Sequence, residues 1–134
     1  MFNADETARF SSDLVQSDSD SLTPEEARAV AALPKGSALL ISTHGQFSGS
    51  RFLLDEDVNT AGRHPDADIF LDDVTVSRRH VEIVRSEGNF EVRDLGSMNG
   101  TYLNGEIVDR AKLKDGDELR IGKFRLTFFL GGKS

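Results

Sequence analysis

From Ser37 onward the chain breaks into short β-like runs, each closed by turn residues, and no helical period separates them. The runs are ALLIS (38–42), RFLL (51–54), DIFL (68–71), HVEIVRS (80–86), FEVRD (90–94), TYLN (101–104), EIV (106–108), ELRIG (118–122) and FRLTFFL (124–130). Val81 and Ile83 alternate with His80 and Glu82, and Phe90 and Val92 with Glu91 and Arg93, so one face of each strand is buried. Asn104-Gly105 between two runs is a two-residue hairpin signal, and Asp115-Gly116 marks another tight turn. Closely spaced strands without crossover helices indicate an antiparallel sandwich or barrel. The expected class is all-β.

A stretch of different character precedes the strands. Met1 to Ser21 is rich in Ser and Asp, and Phe10, Leu14 and Val15 are among its few apolar side chains, too few to fold alone. In TPEEARAVAAL, Thr23 is a candidate N-cap, Pro24 takes the first helical position and Glu26 completes a capping box before an Ala-rich run that ends at Leu33-Pro34. A short helix near 24–33 is expected, weakly held, because isolated helices under about 12–15 residues are marginal. The expected division is an acidic, largely disordered tail over 1–36 that carries this helix, and one β domain over 37–132.

Charge and composition exclude several functions. With 16 Lys and Arg against 23 Asp and Glu, the net charge is -7. Nucleic acids and anionic membranes reward broad positive fields, so neither is an expected partner, and any anion site must be local. No apolar run approaches the roughly 20 residues of a membrane span. The beginning MFNADETARF lacks a basic n-region and an apolar h-region, and there is no Cys, so a cytoplasmic location is expected. Catalytic signatures are missing as well. His44, His64 and His80 have no Cys partner and no metal-binding spacing, there is no Gly-x-Ser-x-Gly elbow, and the adjacent Asp72 and Asp73 point apart. EDVNTAGRHPDAD lacks the Gly-Lys-[Ser/Thr] ending of a phosphate loop. The expectation is no enzyme, no metal and no cofactor.

An anion site fits better. Arg63 follows Gly62 in a turn-like segment closed by His64-Pro65; Ser77, Arg78 and Arg79 precede the 80–86 strand; Asn99 lies in GSMNGT, where Gly96 and Gly100 permit positive φ. Sandwich loops cluster at the two ends of the sheets, so three such connections would make one donor-rich apex. Arg grips phosphate bidentately, and Ser hydroxyl and Asn amide add directional donors. Taken singly, each feature has a plainer reading: Arg78-Arg79 as a solvated pair, Asn99-Gly100-Thr101 as a hairpin turn or glycosylation sequon, His80 as a hydrogen-bonded structural histidine.

In combination, Gly62-Arg63, Ser77-x-x-His80 and Asn99-Gly100, with Asn104 beyond, resemble the forkhead-associated (FHA) domain over about Ser37 to Leu130. The resemblance implies a β-sandwich that binds phosphothreonine peptides, with Arg63 and Ser77 on the phosphate and Arg78 and Asn99 on the peptide backbone or assisting at the phosphate. The implied binding set is Arg63, Ser77, Arg78, Arg79 and Asn99. Gly62, His80, Gly100 and Asn104 would build the loops, with His80 a buried buttress.

LPKGSALLI, AGRHPDADIFLDDVTVSRRHVE, GSMNGTYLN and GDELRIGKFRLTF resemble the actinobacterial FHA regulators of central metabolism, the glycogen-accumulation regulator and oxoglutarate dehydrogenase inhibitor family. That resemblance implies a monomer that, unphosphorylated, inhibits 2-oxoglutarate dehydrogenase and acts on glutamate-metabolising enzymes. It also implies a Ser/Thr kinase that phosphorylates the tail, which then occupies its own FHA site. The family tail carries Glu-Thr-Thr-Ser-Val-Phe where this chain has Asp5-Glu6-Thr7-Ala8-Arg9-Phe10, so one phosphorylatable Thr is expected, Thr7, with Glu6 in place of the other. The loop STHGQFSGS also lacks the family's basic character. The alternative left open is a phosphorylation-dependent adaptor for a kinase or another phosphoprotein, without inhibition of a metabolic enzyme.

Overall fold

The computed structural model of the chain describes residues 22–43 and 48–132. Thr7, the rest of the tail before Leu22, and His44 in the STHGQFSGS loop lie outside the described residues. Among the described residues, one helix, α1 (Pro24–Ala31), precedes eleven strands: β1 (Ala38–Ser42), β2 (Arg51–Leu54), β3 (Val58–Gly62), β4 (Ile69–Phe70), β5 (Val81–Ser86), β6 (Asn89–Asp94), β7 (Thr101–Leu103), β8 (Glu106–Ile107), β9 (Arg110–Leu113), β10 (Glu118–Ile121) and β11 (Phe124–Leu130). They form two sheets, β2-β1-β11-β10-β7-β8 and β4-β3-β5-β6-β9. The expected all-β sandwich is the observed one. Its pairs are antiparallel except β3 with β4, where Ala61 meets Ile69 and Gly62 meets Phe70 in parallel.

Alternation builds the core. Val81 and Ile83 of β5, Phe90 and Val92 of β6, Leu119 and Ile121 of β10 and Leu126 and Phe128 of β11 all face the space between the sheets. Phe90 and Phe128 meet edge-on across it, with ring centroids 5.4 Å apart. Burying two such rings contributes roughly 2–3 kcal/mol each.

β1 departs from alternation, because all five of its residues are buried. Ala38 and Leu40 face the core, while Leu39 and Ile41 face outward beneath α1, packed with Leu33, Val30, Ala29 and Phe129. The helix therefore gains a tertiary partner that an isolated segment of its length lacks. Its expected capping box is present: Thr23 Oγ1 accepts from the Glu26 N–H at 3.1 Å, and Glu26 Oε1 accepts from the Thr23 N–H at 3.0 Å. Among the described residues no helix is long and apolar enough to cross a membrane.

Two strands had no counterpart in the sequence reading. β3, VNTAG, has one large apolar residue, Val58, which is 46% exposed; its buried positions are Asn59, Ala61 and Gly62. β9, RAKL, is a sheet edge and fully buries only Leu113. Both pair through backbone with alternating neighbours, so the partner strand, rather than their own composition, makes them strands.

Candidate functional site

Gly62 ends β3 rather than opening a turn, and it lies against the connection between β4 and β5. A Cβ at Gly62 would come 2.1 Å from the Arg78 carbonyl oxygen, so only glycine allows this approach. The approach creates a seam: the Arg63 N–H donates to the Ser77 carbonyl at 3.0 Å and the His64 N–H to the Arg78 carbonyl at 3.2 Å. Arg63 is also steered by its side chain, whose Nε donates to the Val76 carbonyl at 3.1 Å. That contact leaves the two Nη groups of the guanidinium for an outside acceptor.

His80 fixes the next connection. It is fully buried. Its Nδ1 accepts from the Ser77 N–H at 3.0 Å, so Nε2 carries the ring proton and donates to the Gly100 carbonyl at 2.9 Å. The expected buttress role thus has a geometry: one ring spans the Ser77 and Asn99 loops. A second tie runs the other way, because the Met98 N–H donates to Ser77 Oγ at 2.9 Å. Accepting that bond leaves the Ser77 hydroxyl proton for another acceptor.

The Asn99 loop is shaped from beneath by Asp94, at the end of β6. Its carboxylate accepts from the N–H groups of Gly96 and Ser97 and from the hydroxyls of Ser97 and Thr101, at 2.6–2.9 Å. Burial acts to raise the Asp94 pKa, but these bonds outweigh it and hold the carboxyl below its ordinary value. Ser97 Oγ in turn accepts from the Gly100 N–H at 3.0 Å. So held, Asn99 sends Nδ2 to the Thr75 carbonyl at 2.8 Å. Its Oδ1 has no donor among the described residues, which suits it to a peptide N–H.

Thr75 has a similar support. Asp73 accepts from the Thr75 hydroxyl at 2.6 Å and N–H at 2.9 Å, and pairs with Lys123 Nζ at 2.9 Å. These contacts, the Thr75 hydroxyl foremost, lower its pKa to about 2. The short β10–β11 turn joins the apex through the Lys123 N–H, which donates to Thr75 Oγ1 at 3.0 Å.

Charge is distributed unevenly. Arg85, Arg93, Arg110, Lys123 and Arg125 each pair with a carboxylate. Among the described residues no carboxylate pairs with Arg63, Arg78 or Arg79, all three of which are exposed. On an acidic chain, the three arginines beside the seam are thus open to an outside anion.

The structure therefore brings Arg63, Ser77, Arg78, Arg79 and Asn99 onto adjoining loops, with Gly62, His80 and Gly100 beneath them. Asn104 lies elsewhere. At φ 51° with Gly105 at φ 88°, it forms the β7–β8 hairpin turn, and its side chain bonds Asp117 Oδ1 and the Glu118 N–H. The sequence reading missed Asp73, Thr75, Asp94, Ser97 and Thr101. An Asp two residues before Gly or Thr, as in Asp94-Leu95-Gly96 and Asp73-Val74-Thr75, is the available signal for such turns. Among the described residues no cluster of His, Asp and Glu suits a metal ion.

Comparison with known proteins agrees with this geometry. The family model for the FHA domain matches residues 59–122. The glycogen accumulation regulator GarA of Mycolicibacterium smegmatis is 62% identical over 105 residues, covering 78% of this chain and 66% of that protein. The oxoglutarate dehydrogenase inhibitor of Corynebacterium jeikeium is 52% identical over 128 residues, covering 95% of this chain and 89% of its own length. A structure solved in a study of phosphothreonine-dependent FHA domain interactions superposes with a TM-score of 0.67 at 35% identity, covering 72% of this chain and 99% of that one. A β-sandwich whose loops carry Arg63, Ser77 and Asn99 on a His80 buttress, and relatives that align across the helix as well as the strands, place the chain in the family of FHA-domain regulators to which the glycogen accumulation regulators and oxoglutarate dehydrogenase inhibitors of actinobacteria belong.

Proposed function

We propose that this protein is a cytoplasmic, monomeric, non-catalytic regulator that binds phosphothreonine peptides at the loop apex and controls central metabolism. The observation that carries the reading is the pairing of open donors with rigid supports. The Arg63 Nη groups and the Ser77 hydroxyl proton are unspent, while the atoms that hold them in place are fully bonded. Arg63 and Ser77 take the phosphate dianion; Arg78 adds charge, and Asn99 accepts from the peptide backbone. Pre-set donors lose little freedom on binding, which favours a dianion over singly charged carboxylates.

The name of the oxoglutarate dehydrogenase inhibitors supports 2-oxoglutarate dehydrogenase as the metabolic target; glutamate-metabolising enzymes, and binding by the unphosphorylated chain, are what the family resemblance implies. A Ser/Thr kinase acting at Thr7 would make the 1–36 segment an internal ligand of the 37–132 domain. Phosphorylation adds about -1.5 to -2 charges there. Leu22, the first described residue, packs beside Phe129, toward the end of β11 away from the apex. A seven-residue strand spans roughly 23 Å. The 15 residues from Thr7 to Leu22 reach at most about 50 Å. Tethering at this length gives an effective concentration approaching the mM range, so modest affinity closes the molecule.

Titrating a Thr7 phosphopeptide into the chain carrying Thr7→Ala tests the reading. Binding that requires the phosphate and disappears with Arg63→Ala supports it; no binding, or binding indifferent to Arg63, refutes it. A lysate pull-down with unphosphorylated protein then separates inhibitor from adaptor. Recovery of a dehydrogenase complex supports inhibition, and recovery only of phosphoproteins supports the adaptor.

A further inference from the structure

One residue beyond Arg63 and Ser77, the seam continues through His64 and Arg78. These two side chains border a space that neither Arg63 nor Ser77 lines. With Thr60, Arg79 and Leu95 they line a cavity of ≈ 120 Å³. Ligand pockets commonly run to about 300–1,000 Å³, so this one has room for a single side chain or small anionic group.

Ala61, Ala67, Val81 and Leu95 make much of its wall apolar, and Arg78, Arg79 and His64 supply its hydrogen-bond donors. Arg78 and Arg79 have no carboxylate partner among the described residues. His64 Nδ1 accepts from the Asp66 N–H at 3.0 Å, which leaves Nε2 as the ring's donor. The carboxylate at the wall, Asp66, lies 3.7 Å from His64 Nδ1 and has a 92% exposed side chain, so it leaves both arginines uncompensated.

We infer that this cavity receives an acidic side chain one or two positions N-terminal to the bound phosphothreonine, so that the preferred ligands are phosphothreonine peptides preceded by Asp or Glu. The inference rests on the phosphothreonine reading and adds a specificity rule to it. An extended peptide advances about 3.3–3.6 Å per residue, so a side chain one or two residues from the phosphothreonine reaches a cavity lined by the residues next to Arg63 and Ser77. The chain's own tail fits the rule: Asp5 and Glu6 precede Thr7, whereas Ala8, Arg9 and Phe10 follow it, so its nearby acids all lie on one side. Arg79, on this reading, selects the neighbouring acid rather than holding the phosphate.

The test uses the full chain carrying Thr7→Ala and two peptides of residues 1–14, both phosphorylated at Thr7, one with the natural sequence and one with Asp5→Asn and Glu6→Gln. The substituted peptide is expected to bind about tenfold more weakly, the size of one charge-assisted contact. Against the chain that also carries Arg79→Gln, the two peptides should bind alike. Equal binding to the unsubstituted Arg79 chain, or an undiminished difference in the Arg79→Gln chain, overturns the inference and leaves the phosphothreonine reading standing. Failure of the natural phosphopeptide to bind overturns both.

Discussion

His80 Nε2 lies 2.9 Å from the carbonyl oxygen of Gly100, twenty residues further along the chain, and this bond ties the Asn99 loop to the Ser77 loop. The ring is fully buried, and both of its nitrogens are used. His80→Ala would leave the Ser77 N–H and the Gly100 carbonyl without partners and open a cavity beneath the loops. We expect a loss of about 2–4 kcal/mol, from unmade hydrogen bonds plus the void, measured by chemical denaturation. Phosphopeptide affinity should fall with it, although His80 need not touch the ligand.

Gly62→Ala tests the seam. The added methyl would meet the Arg78 carbonyl 2.1 Å away, which forces the β4–β5 connection outward. Overpacking against backbone should cost about 1–3 kcal/mol and lower the Tm. A variant as stable as the parent would mean the approach is looser than described.

The loop carboxylates make the apex sensitive to acid. Asp73 is lowered to about 2, and Asp94 also lies below its ordinary value. A depressed folded-state pKa contributes stability that is present above the unfolded value of ~3.9 and is lost as pH falls through the folded one. Stability should therefore decline from about pH 4 toward pH 2, with the Thr75 and Asn99 loops loosening. Asp94→Asn should flatten its share of that dependence and lower stability at neutral pH, read from denaturation curves across pH. Equal slopes in parent and variant would contradict the assignment.

Thr23→Ala removes half of the capping box. The cost should be about 1 kcal/mol. Because α1 covers Leu39 and Ile41, hydrogen exchange should quicken in the helix and hardly change at Ser77 or Asn99.

How legible the sequence was depended on whether a residue's role is carried by its side chain or by its surroundings. β5, β6, β10 and β11 announce themselves because every second residue is apolar, and the grouping of Arg63, Ser77 and Asn99 on adjoining loops was legible because all three stand in connections between strands. β3 was hidden because its inward residues are Asn59, Ala61 and Gly62, small or polar where close backbone approach matters more than apolar area. Asp94 and Asp73 were hidden because their work is to shape turns, and a surface Asp looks the same in sequence whether it holds four donors or none. β1 shows the same limit in reverse: its continuous burial reports a helix on its outer face, which no local pattern within ALLIS reveals.

The most direct test of the central claim is a heteronuclear NMR titration of the chain carrying Thr7→Ala with a Thr7 phosphopeptide. The account predicts saturable shifts concentrated at the amides of Arg63, Ser77, Arg78, Met98 and Asn99, absent with the unphosphorylated peptide and abolished by Arg63→Ala. Shifts centred on another face, or the same shifts without phosphate, would contradict it.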